Sequence, residues 1–554
     1  MPRFWRLWAL GAWERIIGWM LEGAGGEIAL VELAGPAGPL MAEPAGAEDS
    51  LPQLPLLRPL PGTGAGVAER AWKRVLFLAV ALAVFMGFLF FLFSLWAPGP
   101  GRPGIDENAY LVGGKNIAWH GSSGFHPSDD YQYVGMMWLR TRDQTFAPPA
   151  WVPGLIRRAL SVHTQAGWYY PKYPFGLSLL DGIVMRIGGV RHGREWAFGV
   201  APACLALALL AVFFLTRELA GSFCGVLAML VLGTCATALQ LTLLADSHTP
   251  DLCAVCWGMT LLVWWWRRGR WWVGAGAGLL LGFAVTIRYT EALLLLPLYP
   301  LPRVLADTNL SSVHPHVWMA VQAVSLLPIG PLGWAVILSI RWRQLRSYGR
   351  AAVPLVGWAI PVAILVIFNW RTLGHLTGYD VTDESSGFTT AEFLRKWNFA
   401  VYELYVFGVF ALMPLGVAGL VLLLGRSWRW GLLLGSWCLP GVLLYFAYYW
   451  GEALPGVAYL RFFLSLLPPI IIAGLWMLKQ AGNGGDGAEG GGVGGGGFGV
   501  GALEVLPRRR LGGSVVGPLA SGLLVAAAAG IGLSGSLPEM VRQHRGNLNF
   551  AYSA

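Results

Sequence analysis

Charge is what this sequence has least of. Only 12% of its 554 residues are Asp, Glu, Lys or Arg, while 55% are hydrophobic, and the mean hydropathy is +0.56. A soluble globular protein carries about a quarter charged residues. A deficit of this size, spread over many apolar runs, excludes a water-soluble enzyme and describes an all-α polytopic membrane protein. Cysteine is scarce too. All six (204, 224, 235, 253, 256 and 438) fall in or beside apolar runs, so no disulfide framework is expected. Cys253 and Cys256 form a CxxC within DLCAVCWGMTLL, but no second pair completes a zinc or redox motif. His120, His126, His163, His314 and His316 lack ligand spacing, and no metal or cofactor is expected. The glycine-rich run AGNGGDGAEGGGVGGGGFGVG lacks the closing GKS or GKT of a phosphate loop. The formal net charge of +9 is no nucleic-acid signal, since the basic residues lie in short clusters between apolar runs. Lys73–Arg74, Arg267–Arg268 and Arg508–Arg509–Arg510 follow the positive-inside rule instead.

What is present is a series of membrane spans. Residues 1–72 are expected to be a basic, Trp-rich amphipathic segment followed by a disordered Gly, Ala and Pro-rich stretch. A membrane domain then covers 73–480, a flexible glycine linker 481–507, and a last span with a short tail 508–554. The first clear span, VLFLAVALAVFMGFLFFLFSLW, is preceded by Lys73–Arg74 on the cytoplasmic side. Further spans are predicted near 196–216, 222–241, 251–266, 271–287, 317–340, 351–369, 399–425, 430–449, 460–478 and 511–534. The segment 176–190, with Asp181 and Arg186, is short for a crossing of about 20 residues and reads as a re-entrant or interfacial helix. GAGAGLLLG at 274–282 offers small residues for close helix packing.

On this topology the outer face collects polar groups at membrane depth, where they are costly and mark pathways or sites. GIDENAY sets Asp106 and Glu107 directly after the first span, opening a loop of roughly eighty residues, far longer than a connector needs. WYYPKYPFG brings Lys172, LLADSHTPD brings Asp246, His248 and Asp251, and TIRYTE brings Arg288. YLRFFLSLLPPIIIAG has Arg461 near its outer end. A carboxylate there serves as general base toward an acceptor hydroxyl. Lys172, Arg288 and Arg461 suit a phosphate whose charge grows as a bond to it breaks. Asp129 and Asp130 read as solvated loop acids.

Four motifs in this order resemble the GT-C membrane glycosyltransferases, and among them the protein O-mannosyltransferase and aminoarabinose-transferase-like branch. They are the acidic DE-x-x-Y from Asp106 to Tyr110, Lys172-x-Pro174-x-Gly176, the acid opening a helix after SHTPD, and the RFFLSLLPP helix from Arg461 to Pro469. The resemblance covers about residues 73–480. It implies a GT-C-type helical bundle whose large first extracytoplasmic loop contains short amphipathic helices. It also implies inverting transfer from a polyprenyl-phosphate-linked sugar to a lipid, glycan or protein acceptor. Carried onto this chain, Asp106 and Glu107 are the catalytic candidates, with Asp106 preferred. Tyr110, Lys172, Asp246, His248, Asp251, Arg288 and Arg461 are the substrate-binding candidates, and either Asp246 or Asp251 matches the second family acid. The family's Lys-Pro-Pro is PKYPFG here, which offsets the lysine. The membrane expected is a bacterial plasma membrane, with the site on its extracytoplasmic face. The alternative is a secondary transporter whose substrate path is lined by these charges, although no internal repeat is evident.

Overall fold

In a computed structural model of the chain, the structure describes residues 64–94, 105–126, 138–148, 150, 152–298, 345–378, 384–449, 457–483 and 521–534. The expected N-terminal segment up to residue 63, the acids Asp129 and Asp130, the span 317–340 with His314 and His316, most of the glycine linker and the arginine triplet lie outside the described residues. The chain divides into one unit, Met1–Leu78, and a second, Ala79–Ala554. Apart from the start of the first helix, every described element belongs to the second unit.

Helix α1 (Gly64–Ser94) is the first predicted span, and it leads to the loop helix α2 (Ile105–His120). The kinked α3 (Gly176–Ala197), then α4 (Val200–Ala220), α5 (Ser222–Gly233), α6 (His248–Arg268) and α7 (Trp271–Ile287) come next. After the undescribed stretch come α8 (Leu345–Leu373), α9 (Thr390–Glu403), α10 (Leu412–Arg426), α11 (Trp428–Phe446) and α12 (Leu467–Asn483). Among the described residues, four helices are long and apolar enough to cross a membrane: Val75–Ser94, Val200–Ala220, Ala352–Leu373 and Arg461–Ala481. A fifth is reached if the bent pair Thr390–Val409 and Leu412–Arg426 counts as one span. The second and fourth of these are largely buried within the protein, whereas the first and third expose most of their surface. That exposure leaves Val356, Ile360, Ile364 and Ile367 on one stripe of α8, as a lipid-facing helix requires.

The predicted boundaries fail in three places for local reasons. The span 222–241 is broken at Thr234–Cys235, where the Thr234 hydroxyl donates to the Leu230 carbonyl at 2.6 Å and competes with the helix ladder. The span 399–425 bends by 104°. Phe410 there adopts a φ of 48°, and Pro414, which has no N–H to give, sits in the first turn of the restarted helix. The short segment 176–190 is instead part of a 22-residue helix interrupted at Gly189, whose φ of 69° suits a residue without a Cβ. The first loop also contains strands that its composition did not announce. β1 (Trp138–Arg140) pairs antiparallel with β4 (Tyr169–Pro171), and β2 (Gln144–Phe146) with β3 (Val162–Thr164).

Two helix contacts position the site. α4 and α6 run parallel, as three matched contacts show: Trp257 donates to the Leu207 carbonyl at 3.0 Å, Thr260 to Ala211 at 3.1 Å and Arg267 to Glu218 at 2.8 Å. The acidic start of α6 and its basic end, Arg267–Arg268, are therefore separated by a helix of about 31 Å. The second contact is the small-residue face of α7, as its sequence suggested. Gly278 and Gly282 lie against the backbone of Pro354 and Trp358 on α8, while Gly276 has room for a methyl group. Gly278→Leu should therefore lower stability by about 3 kcal/mol or more through overpacking. Gly276→Ala should be neutral, which thermal unfolding of the detergent-solubilised protein would compare directly.

Candidate functional site

Asp106 and Glu107 occupy the first turn of α2, where unpaired backbone N–H groups and the helix dipole favour anions. That explains acids at a position where basic anchors are the norm. The helix is held on α3 by close approach at Gly113 and Gly114, which face Ser178 and Asp181. From this platform Asp106 reaches two distant segments. Its Oδ2 meets the Arg461 guanidinium at 3.3 Å, and its Oδ1 accepts the Tyr173 hydroxyl at 2.8 Å. Residues 67 and 355 positions away in sequence thus meet on one carboxylate. The pair is only partly exposed, about a quarter for each side chain (22% and 24%).

Glu107 points inward and is buried. Burial, reinforced by the nearby Asp246 carboxylate, pushes its pKa up to about 7. Asp246 is also buried, and burial raises its pKa, with Arg461 pulling it down and Asp106 adding to the rise. Its Oδ1 accepts from the Ser247 backbone N–H at 2.6 Å and from the Ser247 hydroxyl at 3.3 Å. His248 opens α6 with its two ring nitrogens divided. Nδ1 faces the Arg288 guanidinium, and Nε2 lies 3.5 Å from Asp246 Oδ2. Arginine can only donate, so Nδ1 is the acceptor and the ring proton sits on Nε2.

Arg288 leaves the C-terminal end of α7 and is the most elaborately held cation in the set. It donates to the Tyr445 hydroxyl at 2.6 Å, which also meets Thr290 at 2.7 Å. Its guanidinium lies over the rings of Tyr445 and Phe462, at 5.6 and 5.7 Å from their centroids. Behind it stand two buried carboxylates, Asp251 and Glu291, which act on each other electrostatically. Ser465 donates to Glu291 at 3.3 Å. Lys172 stands beside the set, its ammonium 5.6 Å from the Tyr173 ring centroid. Tyr110, buried on α2, stacks on that same ring at 5.1 Å.

The structure therefore gathers Asp106, Glu107, Tyr110, Asp246, His248, Arg288 and Arg461 around one polar centre. Lys172 joins it through Tyr173, and Asp251 stands behind Arg288 with Glu291. Sequence reading missed Tyr173, Ser247, Tyr445 and Ser465 and did not select Glu291. The available signals were Tyr173 within PKYPFG, and the hydroxyl of Tyr445 inside the apolar run GVLLYFAYYW. Among the described residues, no group of three or more His, Cys, Asp or Glu side chains is arranged to hold a metal ion. Chemically the centre offers carboxylates able to receive a proton, and guanidinium groups of a type able to meet an anion.

The pKa of Glu107 makes a stability prediction. Its folded value of about 7 exceeds the ordinary 4.5, so between these values the folded state binds more proton than the unfolded one. Stability is then fully present below pH 4.5 and falls as pH rises through 7, by up to about 3 kcal/mol. Glu107→Gln should leave the unfolding midpoint unchanged near pH 4.5 and raise it at pH 8, as a pH series of thermal melts would record.

Residues 172–334 match the sequence model of the dolichyl-phosphate-mannose-protein mannosyltransferase family. This match bears out the resemblance to the GT-C glycosyltransferases and to their mannosyltransferase branch. No curated protein matches the chain in sequence. Among solved structures, the chain is similar to the oligosaccharyltransferase AglB of Archaeoglobus fulgidus, in a complex with an inhibitory peptide and a dolichol-phosphate. The identity is 14% and the TM-score 0.43, over 84% of this chain and 55% of that one. It is also similar to ArnT of Cupriavidus metallidurans bound to undecaprenyl phosphate, at 14% identity and a TM-score of 0.34, over 75% of this chain and 60% of that one. The chain spans about half the length of the archaeal oligosaccharyltransferases it matches.

Proposed function

We propose that this integral-membrane protein is an inverting glycosyltransferase, moving a sugar from a polyprenyl-phosphate-linked donor to an acceptor hydroxyl on the extracytoplasmic face. The observation that carries this reading is the meeting of Asp106 with Arg461, beside Arg288 and at the ends of apolar helices. In one displacement the acceptor oxygen attacks the anomeric carbon and the bond from that carbon to the phosphate oxygen breaks. The lipid leaves as polyprenyl phosphate. Asp106 receives the hydroxyl proton, and Arg288, Arg461 and Lys172 hold the departing phosphate, whose charge is greatest in the transition state. The surrounding apolar helices suit the polyprenyl chain. A single displacement inverts the anomeric centre.

The sidedness rests on charge. The start of α6, with His248 and Asp251, belongs to the site, and its far end carries Arg267 and Arg268, which the positive-inside rule assigns to the cytoplasm. The bacterial plasma membrane, the sugar and the kind of acceptor are part of the same proposal. The match to a mannosyltransferase family over residues 172–334 supports a hexose donor. The test is mass spectrometry of cell-envelope glycans and glycolipids from cells with and without the protein. Loss of one defined sugar substituent in its absence is expected. Unchanged glycans with altered uptake or export of a solute would instead support a transporter.

A further inference from the structure

We propose that Tyr173 is a positioning residue for Asp106, orienting that carboxylate by holding its Oδ1 while Arg461 meets its Oδ2. This role rests on the transferase reading. An arginine and a carboxylate left to themselves favour two parallel hydrogen bonds, which engage both oxygens. Here the Tyr173 hydroxyl donates to Oδ1 at 2.8 Å, and Arg461 meets Oδ2 at 3.3 Å, so each oxygen has its own donor. A carboxylate offers about four acceptor sites. Among the described residues these two donors engage one site on each oxygen.

The phenol is fixed from both sides. Its ring stacks at 5.1 Å on Tyr110, which lies one turn along the helix that carries Asp106. The Lys172 ammonium approaches the same ring at 5.6 Å. The backbone around it is stiff. Pro171 ends β4, Pro174 is buried, and α3 begins at Gly176. Tyr173 therefore moves with both the acid and the lysine, and links the two. The charged and titratable groups beside Asp106 are Glu107 and Tyr110 from α2, Asp246 from the turn before α6 and Arg461 from the turn before α12, with Arg288 next to Tyr110 and Asp246.

The full-length protein in liposomes, given polyprenyl-phosphate mannose as probe, tests the assignment by release of polyprenyl phosphate. Tyr173→Phe keeps the ring stack and removes one donor. It is expected to lower kcat about 10-fold with the donor KM within about 2-fold of wild type. The acid limb of kcat/KM should move up by about half to one pH unit, because the anion loses a hydrogen bond. A fluorotyrosine at 173, a stronger donor of nearly the same shape, should move that limb the other way. Unchanged kcat with an unmoved limb in both variants would overturn the proposal. If wild type releases no polyprenyl phosphate, the transferase reading fails, and a thermal-unfolding cycle in detergent decides the hydrogen bond alone. Tyr173→Phe should then lower the midpoint by about 1–3 °C in wild type and leave it unmoved in Asp106→Ala. Equal losses in both backgrounds would contradict it.

Discussion

Asp106→Asn should abolish sugar transfer, with kcat falling about 10²–10⁴-fold while the protein still inserts and melts near the wild-type temperature. The substitution removes charge at nearly constant shape. Asn retains an oxygen that accepts from Arg461 or Tyr173, so the tethering of α2 to the segment opening at Arg461 is largely kept. What is lost is the negative charge and the basic lone pair. The partly exposed setting of Asp106 limits the stability cost, since pairs in reach of water contribute about 0–1 kcal/mol. Glu107→Gln gives the contrast. Glu107 is buried and faces Asp246, so its substitution should act first on the pH dependence of stability. Kinetic constants for the two variants, measured at matched membrane content, separate the roles of the adjacent acids.

Arg288→Lys should have the second largest effect, a fall of about 10²–10³-fold in kcat/KM for the lipid-linked donor. Lysine preserves the charge that balances Asp251 and Glu291, so the buried carboxylates keep a cation nearby. It cannot reproduce the geometry. The guanidinium addresses Tyr445 and His248 with different nitrogens and lies over two aromatic rings, which a single ammonium cannot match. Arg288→Gln is the harsher variant. It leaves two buried acids without that cation and should cost about 3–5 kcal/mol of stability, enough to confuse folding with function. Comparing Arg288→Lys and Tyr445→Phe by donor KM and kcat would show whether the planar cation is used in binding or in the transition state.

Much of this centre was legible because membrane depth makes charge expensive. A charged residue kept at the end of an apolar run stands out, and loop sidedness then groups such residues without any knowledge of packing. That logic found Asp106, Arg288 and Arg461 on one side, and the geometry brings them together. It was blind to Tyr173 in its aromatic, proline-rich loop and to Tyr445 in an apolar run, because an aromatic residue in either setting reads as ordinary packing until its hydroxyl is seen to have a charged partner. Long-range pairing was equally hidden. Nothing in RFFLSLLPP states that its arginine meets an acid 355 residues earlier. The fold divides similarly. Apolar length announced α1, α4, α8 and the segment from Arg461, whereas the bend at Phe410 depends on a single residue with a positive φ. The paired three-residue strands of the first loop are too short for alternation to register. Gly278 and Gly282 were readable as small-residue packing, but their partner helix was not.

The central claim is that this polar centre transfers a sugar from a lipid phosphate. Its most direct test is the release of polyprenyl phosphate, together with a glycosylated acceptor, by the purified protein in liposomes supplied with a polyprenyl-phosphate sugar and a membrane extract as acceptor source. One mole of lipid phosphate per mole of sugar transferred, abolished by Asp106→Asn, is the predicted result. Turnover that Asp106→Asn leaves intact, or consumption of no polyprenyl-phosphate sugar by the wild type, would contradict it.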